Sequence, residues 1–205
     1  NGYSAMYEPN GVSFETYKKY MFDSYYTQEY FEFLYGKEGK NAVSEDDIKK
    51  FLGENYLIDN VLYTDLSQLK DEEKTEKVKT INGYADQLKA GTLTFEDAYY
   101  KEHPSEKKEE TTTTTEADKD KLVQKDKFAT VMGSDKTQES YQDEFYAEAK
   151  KMTVGEVKVI EEKDGSAITI LVKGDIMADP YYLENYDMTV RHDLKEEEYE
   201  KEIKE

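Results

Sequence analysis

Histidine occurs only at His103 and His192, and cysteine does not occur at all. Disulfides, thiol nucleophiles and cysteine-ligated zinc are therefore excluded. His103 stands beside Pro104 in a polar stretch and His192 in a charged tail, which leaves a Ser/His/Asp triad or a histidine-rich metal centre little to build on. The adjacent carboxylates Asp46-Asp47 and Glu72-Glu73 have a plain role at predicted helix N-termini, where the helix dipole favours negative charge. No catalytic set, no metal ligands and no cofactor are expected from these residues. What remains is apolar. Tyr141, Phe145 and Met152 fall on a predicted helix from about Ser140 to Met152, and ordinary packing of an amphipathic helix accounts for such residue types.

The 205 residues include 28 Lys+Arg against 47 Asp+Glu, a net charge of −19. Every lysine-bearing run is diluted by Glu or Asp, so neither nucleic acid nor an anionic membrane surface is expected as a partner. No apolar run approaches the ~18 residues of a membrane helix. The start, Asn1-Gly2-Tyr3-Ser4, has neither the basic nor the apolar region of a signal peptide. Hydrophobic and charged residues each make up 37% of the chain, a lean supply for one thick core, but 19 Tyr and 8 Phe offer large buried areas per side chain. The length suits one to two domains.

Ser13 is placed to cap a helix over residues 13–35, with Phe14, Tyr17, Met21, Tyr25, Phe31 and Leu34 at mostly three- and four-residue steps. Tyr20, Phe22, Tyr26, Tyr30, Phe33 and Tyr35 widen this face, which predicts contact with more than one neighbour. Core packing is the ordinary use of such a face, and reception of client chains is the alternative. Gly36-Lys37-Glu38-Gly39 ends the helix. Ser44-Glu45-Asp46-Asp47 resembles a capping box before Ile48, Phe51, Leu52 and Tyr56, and predicts a short amphipathic helix. Residues 57–64 read as a strand covered on both faces.

An acidic start at Asp71, the row Val78, Ile81, Ala85 and Leu88, and a stop at Gly91 spell a helix of about five turns over 70–90. Thr94-Phe95-Glu96-Asp97 caps a shorter helix that Pro104 ends. Residues 105–126, with five consecutive threonines from Thr111 to Thr115, predict a long mobile insertion. A short strand at 128–132, the helix at 140–152, and β-rich runs at 157–161 and 167–173 follow. Asp164-Gly165 between those two runs suits a hairpin turn. The tail is predicted helical from about Asp187, with Val190, Leu194, Tyr199 and Ile203 as its sparse apolar contacts.

The resulting order, β-α-α-β-α-β-β over 57–173, resembles that of a parvulin-type peptidyl-prolyl isomerase domain. Phe145-Tyr146-Ala147-Glu148-Ala149-Lys150-Lys151-Met152-Thr153-Val154-Gly155-Glu156-Val157 resembles the parvulin helix-to-strand segment, in which a pocket Phe precedes a Leu-x-x-Gly-Glu-hydrophobic signature. Val43-Ser44-Glu45-Asp46-Asp47-Ile48, and Leu88-Lys89-Ala90-Gly91 followed by Phe95-Glu96-Asp97, are similar to segments of the secreted PrsA/SurA-type foldases. The resemblance implies an α+β fold with a parvulin-like domain over 57–176, built on a four-stranded, mostly antiparallel sheet and interrupted at about 105–126. It also implies a helical chaperone-like module made by residues 1–56 and completed by a C-terminal helix over 177–205.

By the same resemblance, Tyr141, Phe145 and Met152 line an apolar substrate pocket and the partners are unfolded or secreted polypeptides. The implied location is extracytoplasmic, on the outer face of a Gram-positive cell membrane, with a lipid anchor upstream of Asn1. Parvulins lower an X-Pro rotation barrier of about 18–20 kcal/mol without a covalent step. They usually carry one His in the first strand, as His-Ile-Leu-Val, and one in the last, as Gly-x-His-Ile-Ile. Here those motifs land on Asn60-Val61-Leu62-Tyr63 and Gly165-Ser166-Ala167-Ile168, so both histidines are absent. The family's Gly-Gly-Asp-Leu-Gly stretch is missing too. So altered, the resemblance implies a foldase-like chaperone with weak or no isomerase activity. Two alternatives stand beside it: an active isomerase that uses Asn60, Tyr63 or His103 as its polar groups, and a surface interaction module for one dedicated partner.

Overall fold

The computed structural model describes residue 3, residues 6–107, residue 122, residues 124–133 and residues 143–204. These residues form six α-helices and four strands: α1 (Phe14–Tyr35), α2 (Glu45–Asn55), β1 (Leu57–Asp65), α3 (Asp71–Lys89), α4 (Phe95–Glu102), β2 (Ala129–Met132), α5 (Asp143–Ala149), β3 (Val157–Glu161), β4 (Ala167–Lys173) and α6 (Pro180–Glu202). The chain is α+β, and it divides into two compact units, Asn1–Lys50 with Tyr186–Glu205, and Phe51–Asn185.

In the first unit, the Ser13 hydroxyl accepts the Thr16 N–H at 3.1 Å and starts α1 as its sequence predicts. The helix stops at Gly36 because the backbone doubles back on itself. A Cβ on Gly36 would collide with the Glu32 carbonyl, and one on Gly39 would lie 2.6 Å from the Leu34 carbonyl. The broad aromatic face is not a core face. Of the residues expected to pack, Phe31 and Leu34 are buried, together with Tyr35, whereas Phe14, Met21 and Tyr25 are exposed. The reason is the supply of partners. Tyr199 of α6 packs edge to face on Phe31 in the last turns of α1 and donates to the Thr27 carbonyl, whereas the side chains of residues 18–30 all stay exposed.

The chain's only arginine fastens this end of the unit. Arg191, 1% exposed, donates through Nε and Nη2 to Asp187 (2.7 and 3.2 Å) and through Nη1 to the carbonyls of Tyr35 (3.1 Å) and Val43 (2.9 Å). One planar, permanently charged fork thus ties α6 to the last residue of α1 and to the segment before α2. The tail helix starts at Pro180, earlier than the expected Asp187. Proline is well suited to a first helical position, and the Asp179 carboxylate accepts the Tyr181 N–H at 3.1 Å. Ile203, expected as an apolar contact, is exposed.

The second unit is built on an antiparallel sheet in the order β2-β1-β4-β3, with β1 and β4 central. Side chains alternate across it. Leu62, Ile168 and Ile170 face Ile81 and Ala85 of α3 and Ala98 of α4, whereas Leu171, Leu57 and Val61 pack with Tyr146 and Ala149 of α5. Glu148 binds α5 to the sheet by pairing with Lys158 on β3 and with Lys151, and these hydrogen bonds hold its carboxyl down to about 2. The helix α5 ends at Ala149 rather than Met152, and residues 134–142, including the expected helix start at Ser140, lie outside the described residues.

Residues 162–166 connect β3 to β4, with Gly165 at φ +67° and its N–H on the Glu162 carbonyl at 2.9 Å. Left-handed backbone there is why the turn uses Asp-Gly. Of the insertion expected at 105–126, residues 108–121 and 123 lie outside the described residues. Its far end is tied by the Lys125 N–H to the Asp179 carboxylate at 2.9 Å, which together with the Tyr181 N–H holds that carboxyl below the usual range.

Candidate functional site

Two regions carry the residues from which a function can be argued. The first is the α5 face of the sheet. Met152, 7% exposed, packs with Met132, Tyr146, Ala149 and Leu171. Phe145 lies in α5, and Tyr141 lies outside the described residues. The polar groups weighed as substitutes for the family histidines do not form one constellation. Asn60 and Tyr63 are three apart on a regular strand and so point to opposite faces. Asn60 donates to the Asp126 carboxylate at 2.8 Å, while the Tyr63 ring is exposed. His103 ends α4, its N–H on the Tyr99 carbonyl at 2.8 Å and its ring 4.8 Å from that of Tyr99.

On the Val61 face the two central strands bring together a pair that sequence reasoning missed. Asp59 and Lys173 are direct cross-strand partners, both buried, with Nζ 3.6 Å from the carboxylate. At that distance neither group has a hydrogen-bond partner. Burial pushes the Asp59 carboxyl up to about 6, against the pull of the Lys173 ammonium, and burial lowers Lys173 against the pull of Asp59. Only the register of β1 against β4 juxtaposes residues so far apart in the chain, so no local motif announces them. The pair is enclosed and specifies register more than it offers chemistry.

The second region is the seam between α1 and α6, both walls of which belong to the first unit. A groove of about 630 Å³ runs between Tyr20, Asp23, Thr27 and Phe31 on one side and Met188, His192 and Asp193 on the other. Phe31 and Tyr199 meet edge to face at 5.1 Å as its floor, and the His192 ring lies 5.0 Å from Phe31. The Tyr199 hydroxyl, raised by burial, donates to the Thr27 carbonyl at 2.6 Å and fixes the wall spacing. Beyond it, Phe14, Tyr17, Met21, Phe22 and Tyr25 line a second depression of about 540 Å³ on α1 alone. Tyr20, Phe22, Tyr25 and Tyr26 are each 50–66% exposed, with Phe22 and Tyr26 stacked at 6.4 Å.

No cluster of three or more His, Cys, Asp and Glu is arranged for a metal ion among the described residues, and no helix among them is long and apolar enough to cross a membrane. No family model matches the chain, and comparison with curated proteins and with solved structures likewise finds no match. The fold itself defines the class, an α+β protein with a four-stranded antiparallel sheet and six α-helices among its described residues.

Proposed function

We propose that this chain is an extracytoplasmic foldase-like chaperone, in which a diverged parvulin-like unit has weak or no isomerase activity and a helical module holds unfolded polypeptides. The observation that carries the reading is the exposed aromatic surface of α1. Single exposed apolar side chains are ordinary, but contiguous ones mark interaction surfaces. Here Phe22, Tyr25 and Tyr26 share one side of α1, Phe22 and Tyr25 line one depression, and Tyr20 lines the other. Burying a large apolar side chain is worth roughly 1.5–3 kcal/mol, so a client that covers several of these rings gains micromolar-scale affinity after the costs of ordering. Tyrosine suits a changing set of clients, being rigid, apolar on its faces and polar at its tip.

The parvulin-like part of the reading is supported by the element order and by the Phe145-to-Gly155 segment that leads from α5 into β3. Weak or absent catalysis is supported by the lack of histidine on all four strands and by the opposite facing of Asn60 and Tyr63. The lipid-anchored, extracytoplasmic setting is carried by the resemblance to PrsA/SurA-type foldases. The test is suppression of aggregation for several unrelated unfolded proteins, run beside a tetrapeptide cis/trans assay. Suppression of all clients with background isomerisation is expected. Catalysis comparable to active parvulins, abolished by Phe145→Ala, would overturn the chaperone-only reading, and suppression confined to one client would favour a dedicated interaction module.

A further inference from the structure

The α1/α6 seam combines an apolar floor with an exposed carboxylate on its α1 wall. Asp23 on α1 and Asp193 on α6 stand on opposite walls, and no lysine or arginine lines the groove among the described residues. The Asp23 side chain is exposed and engaged by no other described residue, so its charge faces the groove's solvent. Met188 lines this groove and also a neighbouring depression of about 520 Å³, where Glu29, Glu32 and Glu38 outweigh Lys37. Asp187 is there as well, but Arg191 already neutralises it. A chain lying along the seam therefore passes from an aromatic floor to carboxylates in either direction.

We propose that this seam selects polypeptide segments in which lysine or arginine flanks aromatic or aliphatic side chains. The statement rests on the chaperone reading and specifies its clients. An apolar side chain occupies the floor over Phe31 and Tyr199. The flanking cation lays its aliphatic stem along Tyr20 or Met188 and brings its charged head to Asp23, the usual division of labour in a long basic side chain. Like charge works against an acidic segment, and at −19 it also works against a second copy of this chain.

The test uses three fluorescent peptides of one apolar pattern with Lys, Ser or Glu at the flanking positions, titrated with the full chain by anisotropy. At low salt the Lys peptide should bind about tenfold more tightly than the Glu peptide, the sum of a few exposed charge pairs. The preference should vanish in ~1 M salt, where the screening length is about 3 Å. Asp23→Asn, at an exposed position, should weaken the Lys peptide about threefold and leave the Ser peptide unchanged. Equal binding of all three peptides overturns the selectivity and leaves the chaperone reading intact. No peptide binding by a chain that still suppresses aggregation overturns the seam as the site, and failure of both assays overturns the two readings together. Dimerisation that Tyr20→Ser abolishes would assign the seam to a second copy and overturn the proposal.

Discussion

Arg191→Met should destabilise the helical unit by about 3–5 kcal/mol, a large part of the ~5–15 kcal/mol that holds a typical domain. The magnitude follows from the four bonds of its guanidinium. Tyr35 is the last residue of α1, so its carbonyl has no donor within the helix, and Arg191 supplies one at 3.1 Å. The Val43 carbonyl receives another at 2.9 Å, and Asp187 receives two. Methionine keeps much of the apolar stem and removes every donor. Two buried carbonyls then stay unsatisfied at roughly 1–3 kcal/mol each, and Asp187 loses its counter-charge. Arg191→Lys should cost about 2 kcal/mol, because one ammonium cannot reach the carboxylate and two carbonyls on separate segments at once. Urea unfolding followed by far-ultraviolet circular dichroism measures both, and equal m-values would show that the change lies in stability. A loss below about 1 kcal/mol for Arg191→Met would refute the clasp.

Asp59→Leu with Lys173→Met should be neutral or stabilising by ~1–4 kcal/mol in urea unfolding, because the buried pair has no hydrogen bond to offset its desolvation. The Asp59 carboxyl is raised to about 6 in the folded chain, above its unfolded value, so the folded state binds the extra proton. Measured against the double variant across that range, wild-type stability should therefore be highest below about pH 4 and fall as pH rises through about 6. Gly36→Ala drives a Cβ into the Glu32 carbonyl and should lower stability by about 1–3 kcal/mol in scanning calorimetry. Met152→Ala leaves a cavity beside Met132 and Leu171 and should cost about 2–4 kcal/mol, with tetrapeptide isomerisation at background before and after.

The order of elements and most of their boundaries were legible in the sequence because caps and stops are local. Ser13, Thr94 and Gly165 each do in the structure what their types predict. Burial along α1 was not legible. Period reports that a face can pack, whereas burial also needs enough partners, and along α1 only Phe31, Leu34 and Tyr35 are buried. The Asp59–Lys173 pair depends on strand register, which no local window contains. Arg191 left a trace that could have been followed, since it is the chain's one arginine and Asp187 precedes it by a helical turn. Pro180 left another, as the residue type best suited to open α6.

The most direct measurement is aggregation suppression by a chain carrying Tyr20→Ser, Phe22→Ser, Tyr25→Ser and Tyr26→Ser. These side chains are at least half exposed, so the urea transition should shift by no more than about 0.5 kcal/mol per site. If α1 is the surface that holds clients, suppression should fall to a small fraction of the wild-type level while the fold persists. Full suppression by the folded fourfold variant would contradict it.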